Sequence, residues 1–383
     1  MVQLLLEGLG GDRRKAASDH SADSGKIHCY HVNAQFSQGM EDIGAIRIGK
    51  FWALLNYCVQ AIWCRFRYGA NVLYYVPAPG KMSAIYRDWV VMLFCRPFFR
   101  SLVLHWHAVG LSAYLEKNSP SWKTRLTHWL IGRPNLSIVL SDAVRRDAEY
   151  FSSTRIAVVP NGIPDPVPNF DTELLPERRA RFRKRCTAMS GSEEDTIVKV
   201  LYLAHCTRSK GLFDTLEAVT LANAHLLQTN ARVRFHLSIG GQFVDVAEEQ
   251  EFSTVVARKP KEEVSYLGFV TGAEKTALLK NCDYLCFPTY YEAEGFPVNL
   301  VEAMAFGLTI VTTRWRAIST MLPSEYSGFI AEKAPAELAA TLCRLLTVDL
   351  SENLRKHFFT HLRADSYIAS MESALASVAD HHS

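Results

Sequence analysis

Short apolar runs recur along the chain, and longer amphipathic stretches separate them. Runs of this kind are typical of strands buried on both faces of a parallel sheet. Their alternation with helical stretches predicts an α/β fold with two doubly wound sheets. The predicted strands are Val72–Val76, Leu102–His107, Ile138–Leu140, Ile156–Val159, Val198–Leu203, Phe235–Ile239, Tyr284–Phe287 and Leu308–Thr312.

A polar stretch separates the two sets of strands. Four prolines between residues 160 and 168 are followed by a segment rich in Arg and Lys, which favours a linker with a solvent-exposed helix. A contact of this basic segment with anionic lipid is the alternative. The pattern predicts an N-terminal domain over 1–170, a linker over 171–195, a second domain over 196–350 and a C-terminal helical segment over 351–383.

Three stretches have the pattern of helices. In 211–228 the apolar residues Leu212, Leu216, Val219, Ala222 and Leu226 form one stripe, and residues 354–378 are also amphipathic. The longest apolar run, from Phe51 to Cys64, is too short to span a membrane, which needs about 20 residues. We predict that this run is a helix buried in a core, with a helix lying in a membrane interface as the alternative.

Composition and charge are those of a globular enzyme. The 383 residues suit two domains, and a net charge of +3 gives no reason to expect a nucleic-acid partner. The nine cysteines are scattered and form no CxxC pair, and no secretion signal is visible at the N-terminus. These features predict a cytoplasmic protein with reduced thiols and no zinc site.

The most informative stretch is YYEAEGFPVNLVEAMAFG, residues 290–307, directly after a predicted strand. It predicts a turn and then a helix, with Pro297 in the first turn and Gly307 at the C-terminal cap. The N–H groups and dipole at a helix start favour an anion such as a diphosphate. Glu294 precedes this helix and Glu302 lies inside it, so both carboxylates are able to line one site.

This stretch resembles the E-x7-E motif of retaining glycosyltransferases with the GT-B fold, in the group 1 or glycogen-synthase-like family four. Three further segments are similar to family segments: VKVLYLAHCTRSKG at 198–211, the PNGI within 158–165, and 264–270. The resemblance is strongest over 195–345 and weaker over 70–170. It implies two Rossmann-like domains that face a central cleft.

The resemblance also implies roles for individual residues. Glu294 would act as a catalytic group beside the donor sugar, Glu302 would bind the ribose, and Lys210 would neutralise the donor diphosphate. Gly295 and Phe296 would supply backbone N–H groups. A leaving diphosphate gains negative charge, so fixed cations and N–H dipoles suit it. No metal ion or other cofactor is implied, since no DxD motif is convincing.

Two positions depart from the family pattern. Where the family places an Arg five residues before the Lys, this chain has His205, and Arg208 is our candidate for a substitute diphosphate contact. The family's first strand and Gly-rich loop are not recognisable, because VQLLLEGLGG already has the pattern of the helix that follows them. We therefore expect the first βα element to be missing, and the alternative is that another loop, around residues 35–44, closes the gap. Those residues lie outside the part of the chain that the structure describes.

The strand Leu102–His107 carries two histidines on one face, His105 and His107. The family often has a His at this strand end, reaching toward the donor sugar, and we assign that catalytic role to His107. A hydrogen-bonded core histidine is the alternative, and it suits His105 better.

The resemblance predicts transfer of a sugar, with retention, from a nucleotide-diphosphate sugar to a glycan or lipid-linked acceptor. Three alternatives stay open: an inactive or truncated nucleotide-sugar-binding protein, a sugar-nucleotide epimerase or phosphorylase, and, least favoured, a Rossmann dehydrogenase. Peripheral contact with the inner face of a membrane is a further hypothesis. It rests on Trp52, Trp63, Trp89, Phe98 and Phe99 with flanking arginines, for which core packing is the alternative.

Overall fold

The computed structural model describes residues 1–14, 27–34, 48–190, 195–260 and 262–379. The chain divides into two compact units, each with its own parallel sheet. The first unit comprises Met1–Asn161, Glu292–Phe296 and Ala364–Ser383, and the second comprises Gly162–Tyr291 and Pro297–Arg363. The α/β class predicted from the alternation of strands and helices is confirmed.

The first unit has a four-stranded sheet in the order β1-β2-β3-β4, with all neighbours parallel. One face packs against helices, through residues such as Cys58, Ile85, Leu115 and Leu130. The elements are α1 (Val2–Gly8), α2 (Ile48–Tyr68), β1 (Val72–Tyr75), α3 (Met82–Cys95), β2 (Ser101–Trp106), α4 (Leu111–Asn118), α5 (Ser121–Ile131), β3 (Leu136–Val139), α6 (Arg146–Tyr150) and β4 (Ile156–Val158).

The second unit has a six-stranded parallel sheet in the order β10-β9-β8-β5-β6-β7. The predicted stripe of α8 is fully buried against it. The elements are α7 (Leu175–Met189), β5 (Thr196–Leu203), α8 (Leu212–Gln228), β6 (Val233–Gly240), α9 (Val246–Val256), β7 (Val264–Gly268), α10 (Gly272–Asn281), β8 (Tyr284–Phe287), α11 (Val298–Ala305), β9 (Thr309–Thr313), α12 (Ile318–Met321), β10 (Phe329–Ile330), α13 (Pro335–Arg344) and α14 (Ser351–His361).

The C-terminal amphipathic stretch is two helices rather than one. After α14 ends, α15 (Ala364–Ala379) returns to the first unit. There Tyr367 and Met371 pack with Leu5 of α1 over the face of the first sheet that α2 to α6 do not cover. The first sheet is therefore covered on both faces, as a parallel sheet requires.

The helix in the predicted linker, α7, is less exposed than predicted. α7 lies in the second unit, where Arg178 and Arg185 are buried. Arg178 donates hydrogen bonds to the carbonyl oxygens of Leu279 and Cys282, at 2.9 and 3.0 Å, and so caps the end of α10. An exposed face was the wrong prediction for these two arginines, because buried carbonyls at a helix end need donors. The end of the predicted linker, 191–194, lies outside the described residues.

The long apolar run in α2 was predicted to be buried, and that prediction is wrong for one side of the helix. Leu54, Cys58 and Cys64 face the core, whereas Trp52 and Trp63 are exposed. Trp89, in contrast, lies partly buried and donates to Thr127 Oγ1 at 2.9 Å. Among the helices of the described residues, none is long and apolar enough to cross a membrane.

Candidate functional site

The second sheet reverses its strand order between β5 and β8. From one edge of the sheet, the first three strands are β7, β6 and β5, and the next three are β8, β9 and β10. This is the strand order of a dinucleotide-binding fold. In such sheets, ligands bind beyond the carboxyl ends of the strands at the point of reversal. Both predicted motifs follow these two strands, since residues 204–211 follow β5 and 288–297 follow β8.

The loop after β5 is held close to the loop after β8. Tyr290 donates its backbone N–H to the Ser209 carbonyl at 2.8 Å. Gly211 has a φ of +79°, and a Cβ added there would lie 2.5 Å from the Pro288 carbonyl oxygen. Glycine is therefore required at 211 both by its left-handed backbone and by this close approach.

Lys210 ends a short 3₁₀ turn, Arg208–Lys210, directly before α8. Its Nζ lies 5.5 Å from the ring centre of Phe287, the last residue of β8, and 5.1 Å from that of Tyr291. The ammonium thus lies beside the start of the β8–α11 connection. Of the two cations predicted for the diphosphate, Lys210 and Arg208, it is Lys210 whose side chain lies beside this connection.

Arg208 is directed elsewhere. Its Nη2 donates to both carboxylate oxygens of Glu251 in α9, at 2.6 and 2.7 Å, and the guanidinium lies 4.3 Å from the Phe213 ring centre. Its backbone N–H faces Glu248 of the same helix. The neighbouring His205 accepts a hydrogen bond at its carbonyl from Tyr202 Oη, at 2.9 Å. The Arg208 side chain is therefore paired with an acidic residue of α9 and not directed toward Lys210's neighbours Phe287 and Tyr291.

The sequence did not draw attention to a depression of about 460 Å³ beside Arg208. Lys333 lies there in a left-handed conformation, with φ +53°, and its Nζ is 4.9 Å from the Tyr290 ring centre. A non-glycine residue at positive φ is uncommon, and that signal is visible in a backbone but not in a sequence. The lining residues are Arg208, Ser209, Asp214, Glu248, Tyr290 and Lys333.

Glu302 lies in the middle of α11, which begins at Val298. Pro297 is its N-cap, whereas the sequence predicted it in the first turn. Gly307 follows the C-terminal end with φ +65°, as its predicted cap role requires. The Glu302 carboxylate accepts a hydrogen bond from Lys275 Nζ of α10 at 2.6 Å. Both side chains are partly exposed, so the pair is open to exchange with a ligand.

Five residues of the β8–α11 connection, Glu292–Phe296, belong to the first unit. Glu294 and Phe296 are buried there. A Cβ added at Gly295 would lie 2.3 Å from the carbonyl oxygen of His107. The structure thus brings together two regions that the sequence predicted separately, the motif containing Glu294 and the end of β2.

The two histidines of β2 and its following turn have different surroundings. His105 is fully buried, and its Nδ1 lies 2.5 Å from Tyr74 Oη. His107 is less buried, and the two ring centres are 4.0 Å apart. Burial lowers the pKa of His107 to about 4, with a further contribution from the N-terminal ammonium. Burial and then His107 lower the pKa of His105, so both rings are neutral at pH 7.

Within the described residues, no three His, Cys, Asp or Glu side chains are grouped so that they could hold a metal ion. The nine cysteines are all free thiols.

The sequence of this chain is similar to those of known glycosyltransferases. Residues 198–348 match the family model described as glycosyl transferases group 1. The amylovoran biosynthesis glycosyltransferase AmsK of Erwinia amylovora is 30% identical over 154 residues, 39% of this chain and 36% of AmsK. The MMP alpha-(1->4)-mannosyltransferase of Mycolicibacterium hassiacum is 27% identical over 209 residues, 54% of this chain and 42% of the relative. Each match spans less than half of the relative.

Solved structures show the fold over a larger part of the chain. Sucrose-phosphate synthase from Thermosynechococcus elongatus superposes with a TM-score of 0.64 at 15% identity, covering 88% of this chain and 81% of that one. Anabaena HepE in complex with UDP gives 0.61 at 18% identity, covering 84% and 82%. The chain therefore has the α/β fold of the GT-B glycosyltransferases, and its residues 198–348 match the group 1 glycosyltransferases.

Proposed function

We propose that this protein is a glycosyltransferase that moves a sugar from a nucleotide-diphosphate sugar to a glycan or lipid-linked acceptor. The observation that carries the proposal is the strand-order reversal between β5 and β8, where Lys210 and the start of α11 follow adjacent strand ends. A fixed cation and a helix N-terminus at such a point suit a diphosphate.

Each end of the donor has a candidate partner in the second unit. The diphosphate lies against Lys210 and the free N–H groups at the start of α11. Glu302, one turn further along the helix, accepts hydrogen bonds from the vicinal ribose hydroxyls, as acidic residues do in dinucleotide folds. Lys275 Nζ holds the Glu302 carboxylate in place through a hydrogen bond of 2.6 Å.

The reaction exchanges one bond at the anomeric carbon. The bond from that carbon to the diphosphate oxygen breaks, and the electron pair leaves with the diphosphate. The acceptor hydroxyl oxygen forms the new bond, and its proton goes to the departing phosphate oxygen. Lys210 and the α11 dipole stabilise the leaving charge, while the Glu294 carboxylate stabilises the positive charge that develops on the sugar.

His107 binds the donor sugar as a neutral imidazole. Its lowered pKa makes it a hydrogen-bonding group rather than a cation at pH 7. The proposal assigns retention of the anomeric configuration by resemblance to the E-x7-E glycosyltransferases. It assigns no metal ion or other cofactor, because basic groups and helix dipoles offset the diphosphate charge.

The relatives suggest which substrates to try first. Curated relatives include glycosyltransferases of amylovoran and colanic acid biosynthesis and a mannosyltransferase, and HepE has been solved with UDP-glucose. The test incubates the protein with UDP- and GDP-hexoses and oligosaccharide or lipid-linked acceptors. The expected result is nucleotide released only with acceptor, and a product whose NMR coupling shows the donor's anomeric configuration.

A second candidate is a nucleotide-sugar-binding protein without turnover. The hydrogen bonds from Arg208 to Glu251 favour it, because they occupy the cation that we predicted as a substitute contact for the diphosphate. This candidate predicts donor binding with no product under any acceptor. Nucleotide release independent of acceptor would instead indicate an epimerase or phosphorylase, and an inverted product would remove the assignment of retention.

A further inference from the structure

The first unit presents an unusual amount of exposed apolar surface on three helices. Among the described residues, 23 large apolar side chains are exposed, and 11 of them lie between residues 51 and 129. Four of the chain's seven tryptophans are in this set. We call this surface the aromatic face, and its main residues are Trp52, Trp63, Phe66, Leu93, Trp122 and Trp129.

The exposed side chains form stripes rather than scattered points. On α2, Trp52, Val59, Trp63 and Phe66 are separated by seven, four and three residues, which places them on one side of a helix. On α5, Trp122 and Trp129 are seven residues apart. Since Leu54 and Cys58 bury the opposite side of α2, the helix presents one apolar stripe to the core and a second one outward.

The three helices are neighbours, so the stripes join. α3 packs against both α2 and α5. Phe66 of α2 contacts Phe98, which follows α3, with ring centres 5.9 Å apart. On the other side, Trp89 of α3 lies 6.3 Å from Trp122 of α5. The aromatic face is therefore one surface that crosses both seams between the helices.

Charge identifies what this surface fits. Residues 51–133 contain ten Lys and Arg against two acidic residues, a net charge of +8, whereas the whole chain carries +3. The rest of the chain is thus at −5. One of the two acidic residues, Asp88, is buried. Arg67 and Arg125 are exposed, and Lys123 lies 5.5 Å from the Trp122 ring centre.

We propose that the aromatic face docks on an anionic lipid bilayer. Trp and Tyr rings favour the headgroup level, and flanking Lys and Arg reach anionic headgroups while their stems cover apolar surface. Each basic residue near such a surface adds attraction. A symmetric second copy fits less well, because it would bring two +8 segments together. The protein lies on the bilayer surface, with the tryptophan rings in the interfacial layer.

The test is flotation of the full chain with phosphatidylcholine vesicles and with vesicles that also contain phosphatidylglycerol. We expect binding to the anionic vesicles that is at least tenfold stronger and falls with salt. Brominated lipids should quench the tryptophan emission of the bound protein. The variant Trp122→Ser/Trp129→Ser should bind at least about tenfold more weakly.

A charge-matched pair of variants sharpens the test. Arg67→Glu/Arg125→Glu on the aromatic face should lower binding at least about tenfold. Arg183→Glu/Lys184→Glu, two exposed residues of α7 in the second unit, makes the same change of net charge and should alter binding less than twofold. Vesicle binding needs neither donor nor acceptor, so its failure is separate from failure of glycosyl transfer.

Three results would overturn the proposal. One is absence of flotation with both vesicle types. Another is an equal effect of the two charge-reversed variants. The third is a dimer in solution that the Trp122→Ser/Trp129→Ser variant dissociates, since the aromatic face would then be covered by a second copy.

Discussion

The two units are built from the same kind of sheet but differ in strand order. In the second unit the order reverses between β5 and β8, whereas the described strands of the first unit run β1-β2-β3-β4 without reversal. In such sheets the point of reversal is where ligands bind, beyond the carboxyl ends of the strands. The second unit therefore carries Lys210 and the start of α11 at adjacent strand ends, where we propose that the nucleotide binds.

The two units also differ in their outer surfaces. The first unit carries the aromatic face and the basic segment 51–133. The family match, residues 198–348, falls in the second unit except for Glu292–Phe296. We therefore propose that the second unit binds the diphosphate and ribose of the donor, and that the first unit supplies Glu294, His107 and the surface that docks on lipid. A substitution in one unit should then change only the property that this unit carries.

The largest effect is expected at Glu294, which lies in the part of the motif that belongs to the first unit. Glu294→Gln removes the charge that stabilises the developing positive sugar, so we expect kcat to fall about 100- to 1000-fold. Donor affinity should change little. Steady-state kinetics check this, with Glu292→Gln, an exposed neighbour, as the matched control. Retention of more than a tenth of the activity would remove Glu294 from the mechanism.

The next effect concerns the loop after β5 in the second unit. Gly211→Ala combines a left-handed backbone with a clash against Pro288, and we expect it to lower the free energy of unfolding by about 3 kcal/mol. Gly268→Ala is the control, because φ there is +68° but no atom lies within 4 Å of the added Cβ. It should cost about 1 kcal/mol. We would measure both by denaturant unfolding. If the two variants lost the same free energy of unfolding, the loop at Gly211 would accommodate the added Cβ without a further loss of stability.

A smaller effect separates the two basic residues of the same loop. Lys210→Ala should raise the donor Kd about tenfold, because it removes the cation beside the β8–α11 connection. Arg208→Ala should raise it less than about threefold, because its guanidinium is paired with Glu251. Isothermal titration with the donor nucleotide measures both. A larger loss for Arg208→Ala would show that this arginine leaves Glu251 when the donor binds.

The smallest effect is a pH dependence of stability from the first unit. Burial places the pKa of His107 at about 4 in the folded protein, below its usual value of 6.5. The unfolded chain then binds more protons as pH falls below 6.5, so stability decreases from there toward pH 4. We expect His107→Asn to remove about 1 kcal/mol of that decrease between pH 6.5 and 5. Denaturant unfolding of the protein and of His107→Asn at pH 6.5 and pH 5 measures this. An equal loss of stability in both would contradict the assignment to His107.

The sequence predicted most of what depends on local pattern. The stripe of α8 and eight of the strands follow from periodicity, because a buried face imposes its spacing on the chain. Two strands, β7 and β10, were missed. β10 has two residues, too few to form a run, and in β7 only Val264 is buried, so this strand lacks the apolar run of a fully buried one.

Side-chain direction and exposure were beyond the reach of the sequence. Arg208 pairs with Glu251, 43 residues away, and Lys275 with Glu302, 27 residues away, and nothing local specifies such partners. The run in α2 reads as buried, since apolar composition alone does not tell which side of a helix meets the core. The exposure of Trp52 and Trp63 follows from the tertiary packing of α2, which the sequence alone does not give.

The central claim is that the strand-order reversal of the second sheet binds a nucleotide-diphosphate sugar. The most direct measurement is a thermal-shift screen of UDP, GDP, ADP and their sugar conjugates against the protein and Glu302→Ala, with Glu274→Ala, an exposed residue of α10, as control. Binding to the folded state raises its stability. The account predicts a shift with one nucleotide series that is lost in Glu302→Ala and kept in Glu274→Ala. A shift that survives Glu302→Ala unchanged, or no shift with any nucleotide, would contradict it.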